Sequence, residues 1–210
     1  MTLLEYIVFA FSSLFVIVDP IATVPAFLAM TPSDTPQQRI RMARLACVVM
    51  AGILLVFAIS GRAIFRFLGI TIPSFRMAGS VILLLIALDM LRAQRSRVQE
   101  TPEETFAGTE KADIAITPLA VPMLAGPGAI STVILLHSRA VDWSQHIALL
   151  VCIVAIALVT YAIFALSARG AKWLSPIALR LTTRIMGMLL AAIAMQFLIN
   201  ALTDLKLVRP

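Results

Sequence analysis

Apolar residues along this chain gather into six blocks, separated by short runs in which charged residues collect. The blocks cover about residues 3–30, 40–60, 72–91, 114–137, 147–167 and 185–202, each close to the ~20 residues that a helix needs to cross a hydrocarbon core of ~30 Å. Arg39, Arg41 and Arg44 stand at the mouth of the second block, and the only sustained polar stretch, Arg92 to Asp113, lies between the third and fourth. The pattern predicts an all-α membrane protein of six transmembrane helices. It is expected to form a single transmembrane domain over residues 1–210, with a first repeat over about 1–95, a cytoplasmic connector over about 92–113 and a second repeat over about 114–210.

The repeat emerges when the chain is slid along itself by the 107 positions that separate Pro20 from Pro127. Ala22 then falls on Ala129 and Gln38 on Gln145, the run Phe57-Ala58-Ile59-Ser60 falls on Phe164-Ala165-Leu166-Ser167, and Ile86-Ala87-Leu88-Asp89 meets Ile193-Ala194-Met195-Gln196, with no gap. Three spans separate each residue from its counterpart, and an odd number of crossings turns the second copy upside down. Two inverted three-helix repeats are expected, as in many secondary transporters.

Composition agrees with a lipid solvent: 60% of the residues are apolar and 13% charged, against about 45–50% and 25% in soluble domains. The net charge of +6 needs no nucleic acid to explain it, because the basic residues sit at span ends, where headgroups and the cytoplasmic side attract them. The connectors after the first, third and fifth blocks hold eleven of them, Arg39, Arg41, Arg44, Arg92, Arg95, Arg97, Lys111, Arg169, Lys172, Arg180 and Arg184; the opposite side holds six, Arg62, Arg66, Arg76, Arg139, Lys206 and Arg209. That bias predicts both termini on the periplasmic side. No Lys or Arg precedes the first block, so a cleaved signal peptide is not expected. Cys47 and Cys152 fall inside blocks and read as small hydrophobes.

Two blocks carry proline chemistry that a continuous helix does not tolerate. The first holds Val18-Asp19-Pro20-Ile21-Ala22-Thr23-Val24-Pro25; the fourth holds Pro118, Pro122, Gly126, Pro127 and Gly128, followed by Ala129-Ile130-Ser131-Thr132. A mid-helix proline removes a backbone donor and clashes with the preceding turn, so helices 1 and 4 are expected to be broken. A lone proline kink often serves packing alone. Unwound backbone at membrane depth, however, persists only where protein buries it or a wet cavity adjoins it, and two breaks at matched offset point to a solute site. A half-helix start attracts a carboxylate and a half-helix end an ammonium, so the pair suits a zwitterion. Candidate substrate-binding residues are Asp19, Pro20, Ala22, Thr23, Pro25, Gly126, Pro127, Gly128, Ser131 and Thr132. The small residues among them predict a pocket for solutes the size of glycine or alanine.

Asp19 is costly in a span, about 2.5–3.5 kcal/mol unless it meets protein, water or a partner. It either holds a coupling proton or cation or caps the half-helix beginning at Pro20. Asp89, Gln196 and Asn200 are further pathway or packing candidates, and the two amides, one turn apart, are expected to turn inward and bond another helix. No catalytic constellation is evident. His137 and His146, nine residues apart, form no metal-ligand motif. The chain reads as no enzyme, with no cofactor or metal beyond a coupling H+ or Na+. Expected partners are a small-molecule substrate and membrane lipid, with no nucleic acid and with a homo-oligomer as a further option. A channel, an exporter of another small polar solute and a non-transporting scaffold are the alternatives.

The stretch Val18-Asp19-Pro20-Ile21-Ala22-Thr23-Val24-Pro25-Ala26-Phe27-Leu28 and the stretch from Pro118 to Thr132 together closely resemble the MarC family of bacterial inner-membrane proteins. Leu85-Ile86-Ala87-Leu88-Asp89-Met90-Leu91 and Ala194-Met195-Gln196-Phe197-Leu198-Ile199-Asn200 fit the same family. The resemblance implies a multi-pass protein of the inner membrane, and related archaeal members look like transporters of glycine and alanine coupled to a proton or cation gradient. Where the family often has Gly-Asn after the Asp-Pro-Ile run, this chain has Ala22-Thr23.

Overall fold

Capping chemistry sets where the helices begin. Thr35 precedes Pro36 and stands three residues before Gln38; its hydroxyl accepts from the Gln38 N–H while the Gln38 side chain accepts from the Thr35 N–H, a reciprocal cap at 3.3 and 3.0 Å. Thr2 and Glu5 repeat the device at the first helix. The computed structural model describes residues 2–31, 34–92, 115–170 and 176–205. Beyond Arg92, the expected cytoplasmic connector therefore lies outside the described residues, as do Arg95, Arg97, Lys111, Lys172, Lys206 and Arg209 of the charge count.

All described elements are helical: α1 (Leu3–Val18), α2 (Val24–Met30), α3 (Pro36–Leu68), α4 (Ile72–Arg92), a π-helical α5 (Ala115–Leu124), α6 (Pro127–Arg139), α7 (Trp143–Gly170) and α8 (Pro176–Asp204). Four of these stretches are long and apolar enough to cross a membrane, Pro36–Leu68, Ile72–Arg92, Trp143–Arg169 and Gly187–Asp204, and α1 is a shorter apolar helix. The first and fourth apolar blocks are each divided, into α1 and α2 and into α5 and α6. The second and sixth run further than their apolar cores. Thr35 and Pro36 start α3 ahead of its arginines, and Pro176 opens α8 ahead of Arg180 and Arg184. At 33 residues α3 is roughly 50 Å long, so its arginine-bearing ends reach past a ~30 Å core or the helix tilts.

The interior is built from stripes at helical spacing. Tyr6, Ala10, Leu14 and Val18 are buried along α1, and Met42, Ala46, Met50, Leu54 and Ala58 along α3. Opposite α3, helix α7 buries Leu149, Ile153, Ile156, Thr160 and Phe164. The Tyr6 hydroxyl donates to the Leu136 carbonyl at 3.0 Å and ties α1 to α6, while the rings of Phe27 and Phe164 stack 4.7 Å apart and join α2 to α7. Both cysteines are buried and unpaired, in keeping with their reading as small hydrophobes.

A second apolar cluster lies between α4 and α8, centred on Leu83, Ile86, Ala87, Leu190 and Ala194. Gly187 brings these helices close: a methyl group on it would come within 3.0 Å of the Ala87 carbonyl oxygen. The neighbours form a paired pattern. Helix α3 packs on α7 and α4 on α8; α1 lies against α7 as α5 lies against α3, and α2 lies against α8 as α6 lies against α4.

Candidate functional site

Helix α1 stops at Val18 because Asp19 takes a left-handed conformation, φ 44° and ψ 66°. Few residues other than glycine adopt that region, and Asp is among those that do, since its short side chain bonds locally. Here Asp19 Oδ1 accepts from the Ala22 N–H at 3.2 Å. The Thr23 hydroxyl donates towards the carbonyls of Asp19 and Pro20 at 3.0 and 3.1 Å, and the Thr23 N–H closes on the Asp19 carbonyl at 3.2 Å. The carboxylate thus organises the turn that carries it. Pro25 then opens α2, where a missing N–H costs nothing.

The second break has a different construction. The Ala125 N–H donates to the Ala120 carbonyl at 2.8 Å, the last bond of the wide π-helical turn. Gly126 is extended, φ −75° and ψ 174°, and Pro127 begins α6 with no side-chain cap on its start. Glycine is required at position 126 because a β-carbon there would run into the Pro122 carbonyl oxygen. Pro127 rests on Gly79 of α4, where a β-carbon would overlap its ring. At Gly128 a methyl group would come within 2.7 Å of Phe197 Cζ and 3.1 Å of Ile17.

The two breaks meet at one cavity of ≈ 220 Å³. Ile17, Val18, Asp19, Ala22 and Thr23 form the wall from the first break, and Pro122, Met123, Gly126, Gly128 and Ala129 the wall from the second. Leu83 of α4 and Leu189, Leu190, Ile193 and Phe197 of α8 line the far side, where Leu83 and Leu190 are buried and Leu189 and Ile193 exposed. The end of α1 and the start of α6 both face this space, so the partial negative charge of a helix C-terminus and the partial positive charge of an N-terminus are present together.

Of the candidates read from the sequence, Asp19, Ala22, Thr23, Gly126 and Gly128 line the cavity. Pro20, Pro25, Pro127, Ser131 and Thr132 do not. Pro20 and Pro127 are buried beside it, shaping the turns, and Pro25 and Thr132 are half-buried in their helices. Ser131 is buried one turn into α6, donating to the Gly128 carbonyl at 3.0 Å and accepting from Arg76 Nε at 3.1 Å. Gln196 and Asn200 are exposed, and the Gln196 amide donates to Asn200 Oδ1 at 2.9 Å. They satisfy each other along α8 instead of turning inward to another helix. Asp89 is half-buried on α4, off the cavity.

The pocket is roomier than glycine requires, because its far wall is made by α4 and α8 and not by the small residues of the breaks. That apolar wall carried no signal in the sequence, since leucines facing a cavity read like leucines facing lipid. Arg76 was also missed as a connector. Its guanidinium pairs with Asp204 at 2.8 Å as well as bonding Ser131, joining α4, α6 and α8 beside the second break. Away from the breaks, a hollow of ≈ 300 Å³ lies at the α3–α4 turn beside Arg62 and Ser138. The α6–α7 turn also brings His137 and His146 together, with 3.3 Å between their Nδ1 atoms.

Comparison with known proteins places this geometry in a family. Residues 4–205 match the family described as MarC family integral membrane protein. A UPF0056 membrane protein of Methanocaldococcus jannaschii is 35% identical over 199 residues, 95% of this chain and 97% of the relative. The UPF0056 membrane protein YvbG of Bacillus subtilis is 36% identical over 90% of each chain, and YhcE of Escherichia coli is 31% identical over 91% of this chain and 89% of its own. No solved structure matches. With the match running almost end to end, through both breaks and the apolar helices around them, the chain belongs to the MarC family of integral membrane proteins.

Proposed function

We propose that this protein is a secondary transporter of neutral amino acids in the bacterial inner membrane, coupled to H+ or Na+. The observation that carries the reading is the meeting of two helix breaks, Asp19-Pro20 and Gly126-Pro127, at one cavity. An amino acid zwitterion enters lipid only if both charges are met, and the end of α1 and the uncapped start of α6 offer opposite partial charges to it.

The fold proposed with this function has six crossings in two inverted copies of three, α1–α2, α3 and α4 against α5–α6, α7 and α8, with both termini periplasmic. The paired helix contacts support it, because exchanging the two sets returns α3–α7 and α4–α8 to themselves and carries α1–α7 onto α5–α3 and α2–α8 onto α6–α4. The helix starts at Thr35–Pro36 and Asp142–Trp143 support it as well, standing at the same 107-residue offset as the breaks. Fusion of alkaline phosphatase to the C-terminus should give active enzyme and a green-fluorescent fusion should stay dark; the reverse would overturn the orientation.

Flux of neutral amino acids into proteoliposomes, with and without an imposed gradient, tests the transport. Accumulation against a gradient separates a transporter from a channel, and absence of any flux for every neutral amino acid would sink the reading. In this scheme Asp19 carries the coupling ion as well as shaping its turn. Asn at position 19 keeps the acceptor for the Ala22 N–H and removes the titratable charge, so Asp19→Asn should abolish gradient-driven accumulation and leave exchange largely intact.

A further inference from the structure

We infer that the solute held between the breaks carries an apolar side chain of about four carbons, and that Phe197 sets the upper limit of its length. This rests on the transporter reading and goes beyond it by naming the side chain.

The argument begins with room. A dry cavity of ~150 Å³ accepts benzene, with its six carbons; by the same proportion the ≈ 220 Å³ here takes about nine non-hydrogen atoms. Glycine has five, the two charged ends and the single carbon that joins them. About four positions would stay empty around it, and an apolar void is an unfavourable neighbour for a bound molecule because its lining loses contacts.

Chemistry of the lining gives the same answer. The groups suited to the ammonium and carboxylate lie at the two breaks. The remaining surface belongs to Leu83, Leu190, Ile193 and Phe197, with Met123 beside them. None of these offers a hydrogen bond to a polar side chain, so a hydroxyl or amide placed against the buried Leu83 and Leu190 would go unpaired. A hydrocarbon side chain is the one that gains there. Phe197 differs from the others in its second contact: its ring tip occupies the space that the missing β-carbon of Gly128 leaves free. A solute that lengthens towards α8 must displace that ring, and the ring is already backed against the start of α6.

Equilibrium binding to the purified full chain in detergent, measured by calorimetry, tests this with the linear series glycine, alanine, 2-aminobutyrate, norvaline, norleucine and 2-aminooctanoate. Affinity should rise up to about fourfold for each methylene buried as far as norleucine and fall for 2-aminooctanoate. Phe197→Ala, or the milder Phe197→Leu if the first variant is poorly folded, should reverse the order of the last two. Tightest binding by glycine, or affinities flat along the series, would overturn the side-chain inference and leave the amino-acid reading standing. Hexylamine binding as well as norleucine, or no binding by any member of the series, would overturn the amino-acid reading itself. A rising series whose limit stays fixed in both Phe197 variants would remove Phe197 from the role.

Discussion

Alanine at position 79 puts a methyl group where the ring of Pro127 now rests, at the contact between α4 and the second break. Overpacking of this kind costs typically ~1–3 kcal/mol. The upper half of that range applies, because the neighbour is a proline ring that cannot turn aside, and the break behind it is confined by the contact of Gly126 with the Pro122 carbonyl. Against this stands the helix propensity gained when glycine becomes alanine, roughly 0.5–1 kcal/mol. The net expectation for Gly79→Ala is a loss of about 1–2 kcal/mol. Gly52→Ala is the control, since that glycine also lies inside a helix but has nothing within 4 Å of the position a β-carbon would take. It should gain the propensity alone. Reversible unfolding in mixed micelles, followed by helical circular dichroism, should separate the two variants by about 2–3 kcal/mol. Equal stability of Gly79→Ala and Gly52→Ala would refute the claim that α4 and the second break are packed to contact.

Thr35→Ala removes the hydroxyl half of the cap on α3 and leaves the Gln38 side chain accepting from the residue-35 N–H; it should lower stability by about 1 kcal/mol in the same unfolding measurement. Asp19→Ala removes the acceptor for the Ala22 N–H and leaves a residue ill suited to the left-handed region; a loss of about 1–2 kcal/mol is expected, with Asp19→Asn close to wild type. A double-mutant cycle on Arg76→Gln and Asp204→Asn should give a coupling below about 1 kcal/mol, because the Asp204 side chain is 48% exposed. Gly128→Ala should push Phe197 and Ile17 into the cavity and weaken norleucine binding more than alanine binding, as calorimetry on the two solutes would register.

The breaks were legible in the sequence because proline and glycine act on their own backbone. Pro20, Gly126 and Pro127 dictate a local conformation whatever packs around them, and α1, α5 and α6 end or begin within two residues of them. The walls of the cavity were not legible. Leu83 is buried and Leu85 is half exposed on the same helix, and only the position of α8 distinguishes them. The buried faces of the middle helices were no more legible. Met42, Ala46, Met50, Leu54 and Ala58 are buried on α3, and Ala148, Cys152, Ile156, Thr160 and Phe164 on α7. Which face of a membrane helix turns inward is set by its neighbours, and apolar sequences on all sides conceal it. Gln196 and Asn200 show the same limit for polar groups: spacing put them one turn apart, but whether they bond each other or another helix depended on where α8 stands.

The stacking of Phe27 on Phe164 also bears on how the chain is made. Helix α2 has seven residues, roughly 10 Å of helix, and is too short to cross the bilayer or to satisfy its own ends there. It becomes stable in lipid by resting on α7 and α8. The ribosome adds about 5–20 residues per second, so the 137 residues between the two rings take on the order of ten to twenty seconds to appear. For that interval, and longer still for α8, the first break has emerged from the ribosome while the helices α2 rests on have not. Either the insertion machinery shelters residues 19–30 until α7 and α8 arrive, or the first thirty residues wait at the membrane surface and enter together with the second half of the protein.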